Sequence, residues 1–142
     1  MNPEYEELAV ELLRLNIGML QEPAKQKISK MTRGEFFVLN YLMTHQNQAH
    51  PVEISRSMMV STARIAALLS RLEEKQLISR TIDPENNRQV IVTLLPQGLT
   101  LIQRIRNEVI TASVRMLERL GPEDAREYIR IQRKILSGIT VQ

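Results

Sequence analysis

Arginine and small side chains share one face of the segment that opens at Ser61. A helix beginning there would bury a stripe of aliphatic residues at i, i+3, i+4 and i+7 spacing: Ile65, Leu68, Leu69 and Leu72. The opposite face would carry small side chains and two guanidinium groups: Ala63, Arg64, Ala66, Ala67, Ser70 and Arg71. Short side chains let a helix approach another molecule closely, and guanidinium groups donate hydrogen bonds to phosphates and base edges. This face therefore suits a helix in a DNA major groove, although the same residues could form an ordinary solvated surface.

The flanking segments predict the elements that would hold this helix. Val52–Met58 has the pattern of a short helix with one apolar side, and Ser61 is a favourable N-cap residue for the helix that follows. Farther on, the β-prone runs Leu77–Thr81 and Gln89–Leu94 flank a polar loop, Ile82–Arg88, in which a proline and paired asparagines favour a turn. Helix, turn, helix and hairpin in this order predict a winged helix-turn-helix.

These residues also resemble the signature of the MarR family of bacterial transcriptional regulators. The matching positions are Leu72–Arg80, Asp83, Asn87, Arg88, Val92–Leu94 and Gly98, within a resemblance that runs from the first predicted helix to Leu136. The sequence departs from the family pattern at a turn glycine, a helix-end glycine, an Asp-Arg pair in the wing and a capping threonine. The residues at these places are Met59, Gln76, Asn86 with Asn87, and Leu95. Because the wing has lost one cation, we expect its contact with phosphate or the minor groove to depend mainly on Arg88.

The resemblance implies a homodimer that binds double-stranded DNA, with two recognition helices in successive major grooves of a pseudo-palindromic operator. The predicted DNA-binding residues are Ser61, Thr62, Ala63, Arg64, Ala66, Ala67, Ser70, Arg71, Asn87 and Arg88. The first residues of the helix are expected on phosphates and base edges, and the alanines where the backbone approaches the groove. Arg71 is expected to contact the DNA backbone or to anchor the wing, and Arg88 to reach toward the minor groove. Arg80 is expected to be structural, since it lies in a strand.

Predicted helices at both ends of the chain carry more apolar surface than a small winged helix would bury. The first, Glu4–Leu20, repeats large apolar residues at helical spacing, and Pro96–Leu120 would be longer than about 30 Å. A last helix begins at Pro122. We therefore expect residues 4–20 and 96–137 to form a dimerisation platform, with packing of the first helix onto its own domain as the alternative.

The segment between the first helix and the helix-turn-helix is predicted in two parts. Gln21–Met31 is expected to be a polar connection whose lysines are solvated or, alternatively, support phosphate contacts. Thr32 is predicted to cap the next helix, with Glu35 completing a capping box. Phe36–Met43 is apolar almost all round, which predicts a central, buried helix.

Composition limits the classes of protein that remain. The chain has 142 residues, 43% hydrophobic and 25% charged, which fits one domain or one domain with helical extensions. Its formal net charge of +3 fits an acidic partner, and the charge alone does not distinguish nucleic acid from an anionic membrane. The absence of cysteine excludes disulfides and thiolate sites, and His45, His50 and Glu53 lack the spacing of a closed metal site. No apolar run approaches the roughly 20 residues that span a bilayer. We therefore expect a cytoplasmic protein with no cofactor, metal or membrane contact.

The predicted fold class is mainly α with a small β-hairpin wing, in a single domain over residues 1–142 whose DNA-binding part is 32–95. The family resemblance implies a sequence-specific transcriptional regulator, with repression as the expected action. It also implies that a small phenolic or carboxylate effector, bound between the dimerisation helices and the winged helix, releases the DNA. The alternative is a winged-helix protein-interaction module that binds no operator. No cysteine nucleophile, glycine-rich phosphate loop or catalytic Ser, His and acid grouping supports an enzyme.

Overall fold

The computed structural model describes residues 1–139, which form seven α-helices and three strands. The helices are α1 Pro3–Gly18, α2 Pro23–Met31, α3 Gly34–Thr44, α4 Pro51–Met58, α5 Thr62–Glu74, α6 Pro96–Leu120 and α7 Pro122–Ser137. A 3-10 turn, Met19–Gln21, follows α1. The strands β1 Gln48–Ala49, β2 Ile78–Asp83 and β3 Asn86–Leu94 form an antiparallel sheet in the order β1-β3-β2. The predicted fold class, mainly α with a small β-hairpin wing, is confirmed.

The chain divides into two compact units that share helix α6. Within the described residues, the winged-helix unit comprises residues 26–108, and the terminal unit comprises residues 1–25 and 109–139. The helix-turn-helix and the sheet belong to the first unit, while α1 and α7 belong to the second. Across the described part of the chain, no helix is long and apolar enough to cross a membrane.

The core of the winged-helix unit is built around α3 and α5. The predicted central helix α3 contributes three fully buried residues: Val38, Leu39 and Leu42. The predicted stripe of α5 is buried as well, with at most 1% of Ile65, Leu68, Leu69 or Leu72 exposed. Around them pack further buried residues of α4, the sheet and α6: Ile54, Ile78, Val92, Leu94, Ile102 and Ile105. Full burial of each Leu or Ile contributes about 1.5–3 kcal/mol, so this stripe fixes the rotation of α5 about its own axis.

One residue caps the start of α5, and left-handed residues end both α4 and α5. Ser61 caps α5, as predicted, because its hydroxyl oxygen accepts a hydrogen bond from the Arg64 backbone N–H at 3.2 Å. Met59, after α4, and Gln76, after α5, both adopt left-handed backbone conformations, with φ of 58° and 60°. Glycine is accommodated most easily in this conformation. At both places the backbone thus adopts a conformation that suits the glycine of the family pattern, although this sequence has another residue there.

Two predictions for residues 21–35 are wrong. The expected polar connection contains helix α2, which begins at Pro23 and fully buries Ala24. Proline is favourable in the first turn of a helix. The buried face of α2 is narrow, so the lysine-rich sequence shows no clear helical repeat of apolar residues. Thr32 does not cap α3, because its hydroxyl donates to the Ile28 carbonyl oxygen at 2.9 Å and so closes α2. The N-cap residue of α3 is Arg33. The Glu35 side chain does not complete a capping box but pairs with Arg71 of α5 and with Lys75, the residue that follows α5.

The hairpin is longer and its turn tighter than the sequence indicates. Strands β2 and β3 extend through most of the predicted loop and leave only Pro84 and Glu85 between them. The Asp83 carboxylate accepts the Glu85 backbone N–H at 2.9 Å, which closes this short turn locally. A β-bulge lies between Ile82 and Asp83. The sequence also gave no sign of β1, in which Gln48 and Ala49 pair with β3.

The terminal unit leaves an unusual amount of apolar surface uncovered. Helix α1 has no buried residue, and between 53 and 68% of each of its large apolar side chains is exposed: Tyr5, Leu8, Val10, Leu12, Leu13, Leu15 and Ile17. Helix α7 also has no buried residue among those described. Two polar contacts support this unit, Arg119 Nη2 with Glu22 Oε2 at 2.6 Å and Lys25 Nζ with Tyr128 Oη at 3.1 Å.

Gly98 provides a test of the packing between α6 and the base of the wing. A Cβ atom at this position would overlap the Leu77 carbonyl oxygen and lie 2.7 Å from Leu94 Cδ1. We expect Gly98→Ala to lower the free energy of unfolding by about 1–3 kcal/mol, because backbone has to move to relieve the overlap. Gly18→Ala is the matched control, since that glycine is helical and has no atom within 4 Å of the added Cβ. The control should be neutral or stabilising by up to about 1 kcal/mol in urea unfolding, and equal effects of the two substitutions would contradict the packing argument.

Candidate nucleic-acid interface

The predicted recognition face of α5 is open to solvent. Burial of the opposite stripe leaves the first turns of the helix exposed: Ser61, Thr62, Ala63, Arg64, Ala66 and Ala67. The residues that were grouped by helical spacing therefore lie together on one surface. The small side chains leave the helix backbone accessible, so this surface can approach another molecule closely.

Arg64 and Arg88 are the predicted contact residues whose guanidinium groups remain available. Both are exposed, and neither makes an ion pair with another residue of the described range 1–139. Arg64 lies in the first turn of α5, and Arg88 lies on β3 close to the turn of the wing. The backbone N–H of Arg88 donates to Asn86 Oδ1 at 3.1 Å, while Asn87 beside it is exposed. Both guanidinium groups can donate to an anion without first breaking an internal ion pair.

Ser70 lies where strand β2 of the wing is fastened to α5. Arg80 of β2 donates from Nη2 to Glu73 Oε1 at 3.0 Å and stands 3.4 Å from the Ser70 hydroxyl. The Arg80 backbone N–H also donates to Glu73 Oε2 at 3.0 Å. These hydrogen bonds lower the pKa of the Glu73 carboxyl and fasten β2 to α5. Arg80 is therefore structural, as predicted, and it holds the half-buried Ser70 hydroxyl at the edge of the exposed face.

Arg71 is held by α3. Its Nε atom lies 3.3 Å from Glu35 Oε1, and Lys75 Nζ lies 2.7 Å from Glu35 Oε2. The hydrogen bond from Lys75, followed by smaller contributions from Arg71, lowers the Glu35 pKa even though partial burial opposes the shift. Of the two roles predicted for Arg71, anchoring of the wing is therefore wrong: the anchored element is α3, and Arg80 holds the wing. Sequence reasoning missed Glu35 because its partners lie more than thirty residues away, and no local pattern signals such a pair.

The two histidines have polar partners within the protein. His45 Nδ1 lies 2.7 Å from the Tyr41 carbonyl oxygen, and the His45 ring stacks on Tyr41 with centroids 3.8 Å apart. His50 lies between the carboxylates of Glu53 and Asp83. Over residues 1–139 no group of three or more side chains is arranged to hold a metal ion.

Fold and exposed face together define a winged helix-turn-helix protein. Residues 31–90 match the model of the MarR family, the family that the sequence resembles. Proteins of this family are transcriptional regulators and not enzymes, which confirms the prediction that the chain is not an enzyme.

One curated protein resembles this chain in sequence, and solved structures resemble it in fold. The uncharacterized HTH-type transcriptional regulator YdgJ of Bacillus subtilis (strain 168) is 26% identical over 98 residues, which cover 69% of this chain and 60% of YdgJ. A MarR family protein from Bacillus stearothermophilus superposes with a TM-score of 0.76 at 21% identity, covering 96% of each chain. A MepR variant from Staphylococcus aureus, solved bound to an oligodeoxyribonucleotide, superposes with a TM-score of 0.63 at 21% identity, covering 93% of this chain and 98% of MepR. At these identities the structures establish the fold alone.

Glu35 provides a pH-dependent test of the link between α3 and α5. We expect Glu35→Gln to lower the free energy of unfolding at neutral pH by about 0.5–1 kcal/mol, because two cations lose their shared partner. A carboxyl whose folded pKa is depressed stabilises above its unfolded pKa and loses that contribution as the pH falls through the folded value. The difference from wild type should therefore shrink in acid, at a pH below the usual glutamate pKa of about 4.3.

Urea unfolding of both proteins at neutral and acidic pH would measure this difference. Glu74→Gln is the control, since it removes the same charge from an exposed position at the end of α5 that makes no ion pair within residues 1–139. An equal effect of the two substitutions would mean that Glu35 does not link α3 to α5.

Proposed function

We propose that this chain is a dimeric, sequence-specific DNA-binding transcriptional regulator that recognises a pseudo-palindromic operator and acts chiefly as a repressor. The single observation that carries the proposal is the exposed face of α5. There, small side chains surround an arginine that has no ion pair within residues 1–139, on a helix whose orientation is fixed by a fully buried stripe. A helix with these properties suits the major groove of DNA.

The wing supports the same proposal. Arg80 and Glu73 fasten β2 to α5, so the hairpin is held at a defined distance from the recognition helix. Arg88 lies exposed near the end of this hairpin. A guanidinium group there could enter a minor groove while α5 occupies the neighbouring major groove. The related fold of MepR, which was solved with an oligodeoxyribonucleotide, is consistent with this use of the fold.

The homodimer is proposed from the exposed apolar surface of the terminal unit. More than half of each large apolar side chain of α1 is in contact with solvent, and Ile135 and Leu136 of α7 are about 60% exposed. Exposed apolar surface of this extent usually marks an interface. A second copy of the chain would bury it by two-fold symmetry and would present two recognition helices to one operator, about one DNA turn apart.

Two further parts of the proposal rest on the family resemblance. A small phenolic or carboxylate effector would release the DNA, and a solved structure of MepR with ethidium bromide shows that this relative binds an organic molecule. A regulator of bacterial transcription would act in the cytoplasm, where the chromosome lies.

A protein-interaction module is the second candidate, and the composition of the wing favours it. The family Asp-Arg pair is replaced by Asn86 and Asn87, and Glu85 occupies the turn. A wing with fewer cations has less attraction for phosphates. A chain of this second class would bind no duplex at low salt.

Arg64 and Arg88 test the proposed DNA contacts. We expect Arg64→Ala to weaken operator binding by about 1–3 kcal/mol, because a guanidinium contact with a base edge or phosphate is lost. Arg88→Ala should weaken binding and reduce the slope of log affinity against log salt by about one. Arg104→Ala, at an exposed position on α6, is the matched control and should bind like wild type.

The measurement is a fluorescence-anisotropy titration with duplexes from the region upstream of the protein's own gene, at two salt concentrations and against a scrambled duplex. Wild-type affinity of either arginine variant at physiological salt would remove that residue from the interface. Equal, weak and salt-labile binding to both duplexes would favour the interaction module.

Leu12 tests the proposed dimer. We expect Leu12→Lys to weaken self-association at least about tenfold, because it places a charge in an apolar interface. Folding of the subunit should persist, since more than half of the Leu12 side chain is already exposed. Sedimentation equilibrium and circular dichroism would measure the two effects, with Glu7→Lys on the same helix as the control. An unchanged dissociation constant for Leu12→Lys would place the dimer interface elsewhere.

A further inference from the structure

His50 bridges the helix-turn-helix and the wing. Its Nε2 atom lies 2.9 Å from Asp83 Oδ2 at the end of β2, and its Nδ1 atom lies 3.2 Å from Glu53 Oε1 in the first turn of α4. The His50 backbone N–H, at the N-cap position of α4, also faces Glu53 Oε2 at 3.4 Å. One side chain thus contacts both the start of the helix-turn-helix and the strand that leads into the tip of the wing.

We infer that His50 is a positioning residue which, as an imidazolium, fastens the tip of the wing to α4, so that wing order and operator affinity fall as the pH rises above neutrality. The part that concerns affinity rests on the proposed DNA-binding function. The part that concerns the order of the wing does not.

The charge state follows from the geometry. An ionised carboxylate can only accept hydrogen bonds, and both ring nitrogens of His50 face carboxylate oxygens. A neutral imidazole has one N–H and can satisfy only one of these contacts, whereas an imidazolium satisfies both. Asp83 is 8% exposed, so its carboxylate depends on partners inside the protein. The arrangement is therefore complete only when His50 carries a proton on each nitrogen.

Asp83 transmits this state to the wing. The same carboxylate that faces His50 accepts the Glu85 backbone N–H, and Asp83 pairs with Asn86 across the turn. The Asn86 side chain in turn accepts the backbone N–H of Arg88. A shift of Asp83 would therefore disturb the short turn and the strand residue that carries the proposed wing contact.

The groups around the imidazole determine the direction of the pH dependence. They are Glu53 from α4, Asp83 from β2, His45 from the loop after α3, and Tyr41 of α3, whose pKa is raised by burial and by Glu53. From β3 the neighbour is the apolar Ile91, and none of the described residues of α5 lines this pocket. The hydrogen bonds to Asp83 and Glu53 raise the His50 pKa, and the hydrogen bond from His50, followed by that of Glu85, lowers the Asp83 pKa.

A raised histidine pKa gives stability that is complete below the unfolded value, about 6.5, and is lost as the pH rises through the folded value. A lowered aspartate pKa gives stability that is present above about 3.9 and is lost as the pH falls through the folded value. The bridge is therefore complete between roughly pH 4 and 6.5 and weakens in mild base. There a single neutral hydrogen bond replaces two charge-assisted ones.

The test compares wild type with His50→Gln, and uses His45→Gln as the matched control because these are the two histidines of the sequence. In NMR titrations, the His50 ring of wild type should titrate above the usual histidine value, and Asp83→Asn should move it down. Amide hydrogen exchange in residues 81–91, corrected for the intrinsic pH dependence, should be about three- to tenfold faster at pH 8 than at pH 6 in wild type and His45→Gln. In His50→Gln this ratio should be close to one.

Operator affinity should follow the same pattern, with an about three- to tenfold loss between pH 6 and pH 8 that only His50→Gln abolishes. An ordinary His50 titration with equal wing exchange at both pH values would overturn the inference even if the protein binds its operator well. A pH dependence of affinity that persists in His50→Gln would overturn the part that concerns DNA. If no duplex binds at either pH, the proposed function fails, and the titration and exchange measurements still decide whether His50 holds the wing.

Discussion

Burial of the aliphatic stripe of α5 is the interaction on which the candidate interface depends. The stripe residues Ile65, Leu68, Leu69 and Leu72 are buried, and α5 packs against α3, α4 and β2. This burial leaves one possible orientation for the remaining faces of the helix. The recognition face needs no dedicated support of its own, because any rotation that hid it would expose the stripe. Exposing the stripe would cost several kcal/mol in total, which is more than a surface contact of α5 contributes to stability.

The cations near this face divide into two groups. Arg71, Lys75 and Arg80 face carboxylates of Glu35 and Glu73 and hold α3, α5 and β2 together. Arg64 and Arg88 make no such pair within residues 1–139. Arg64 and Arg88 therefore keep a positive charge that no carboxylate within residues 1–139 neutralises. A few positioned guanidinium groups favour recognition of particular sites, whereas a broad basic surface favours binding to any duplex.

Prediction from the sequence succeeded best where the helical spacing of apolar residues and the capping residues indicate the same helix. It predicted the stripe and the Ser61 cap of α5 and the limits of α6, because helical spacing, an N-cap serine and a first-turn proline are local signals. Helix α2 was not predicted, because its few apolar residues stand among lysines and give no clear helical pattern. The loop of the wing was predicted to be longer than it is, because the Asp83 carboxylate accepts a backbone hydrogen bond that closes a short turn. The pairs of Glu35 with α5 and of His50 with Asp83 join residues more than thirty positions apart, which spacing cannot reveal. The contacts with DNA themselves stay predictions.

The exposed apolar surface of α1 would affect how long a newly synthesised chain persists in the cell. A helix without a single buried side chain presents the kind of apolar segment that chaperones and proteases recognise in incompletely assembled proteins. If the chain forms the proposed dimer, an unpaired subunit would be a substrate for that machinery, whereas a paired subunit would escape it. Cellular abundance would then depend on the rate of encounter between chains as well as on the rate of synthesis.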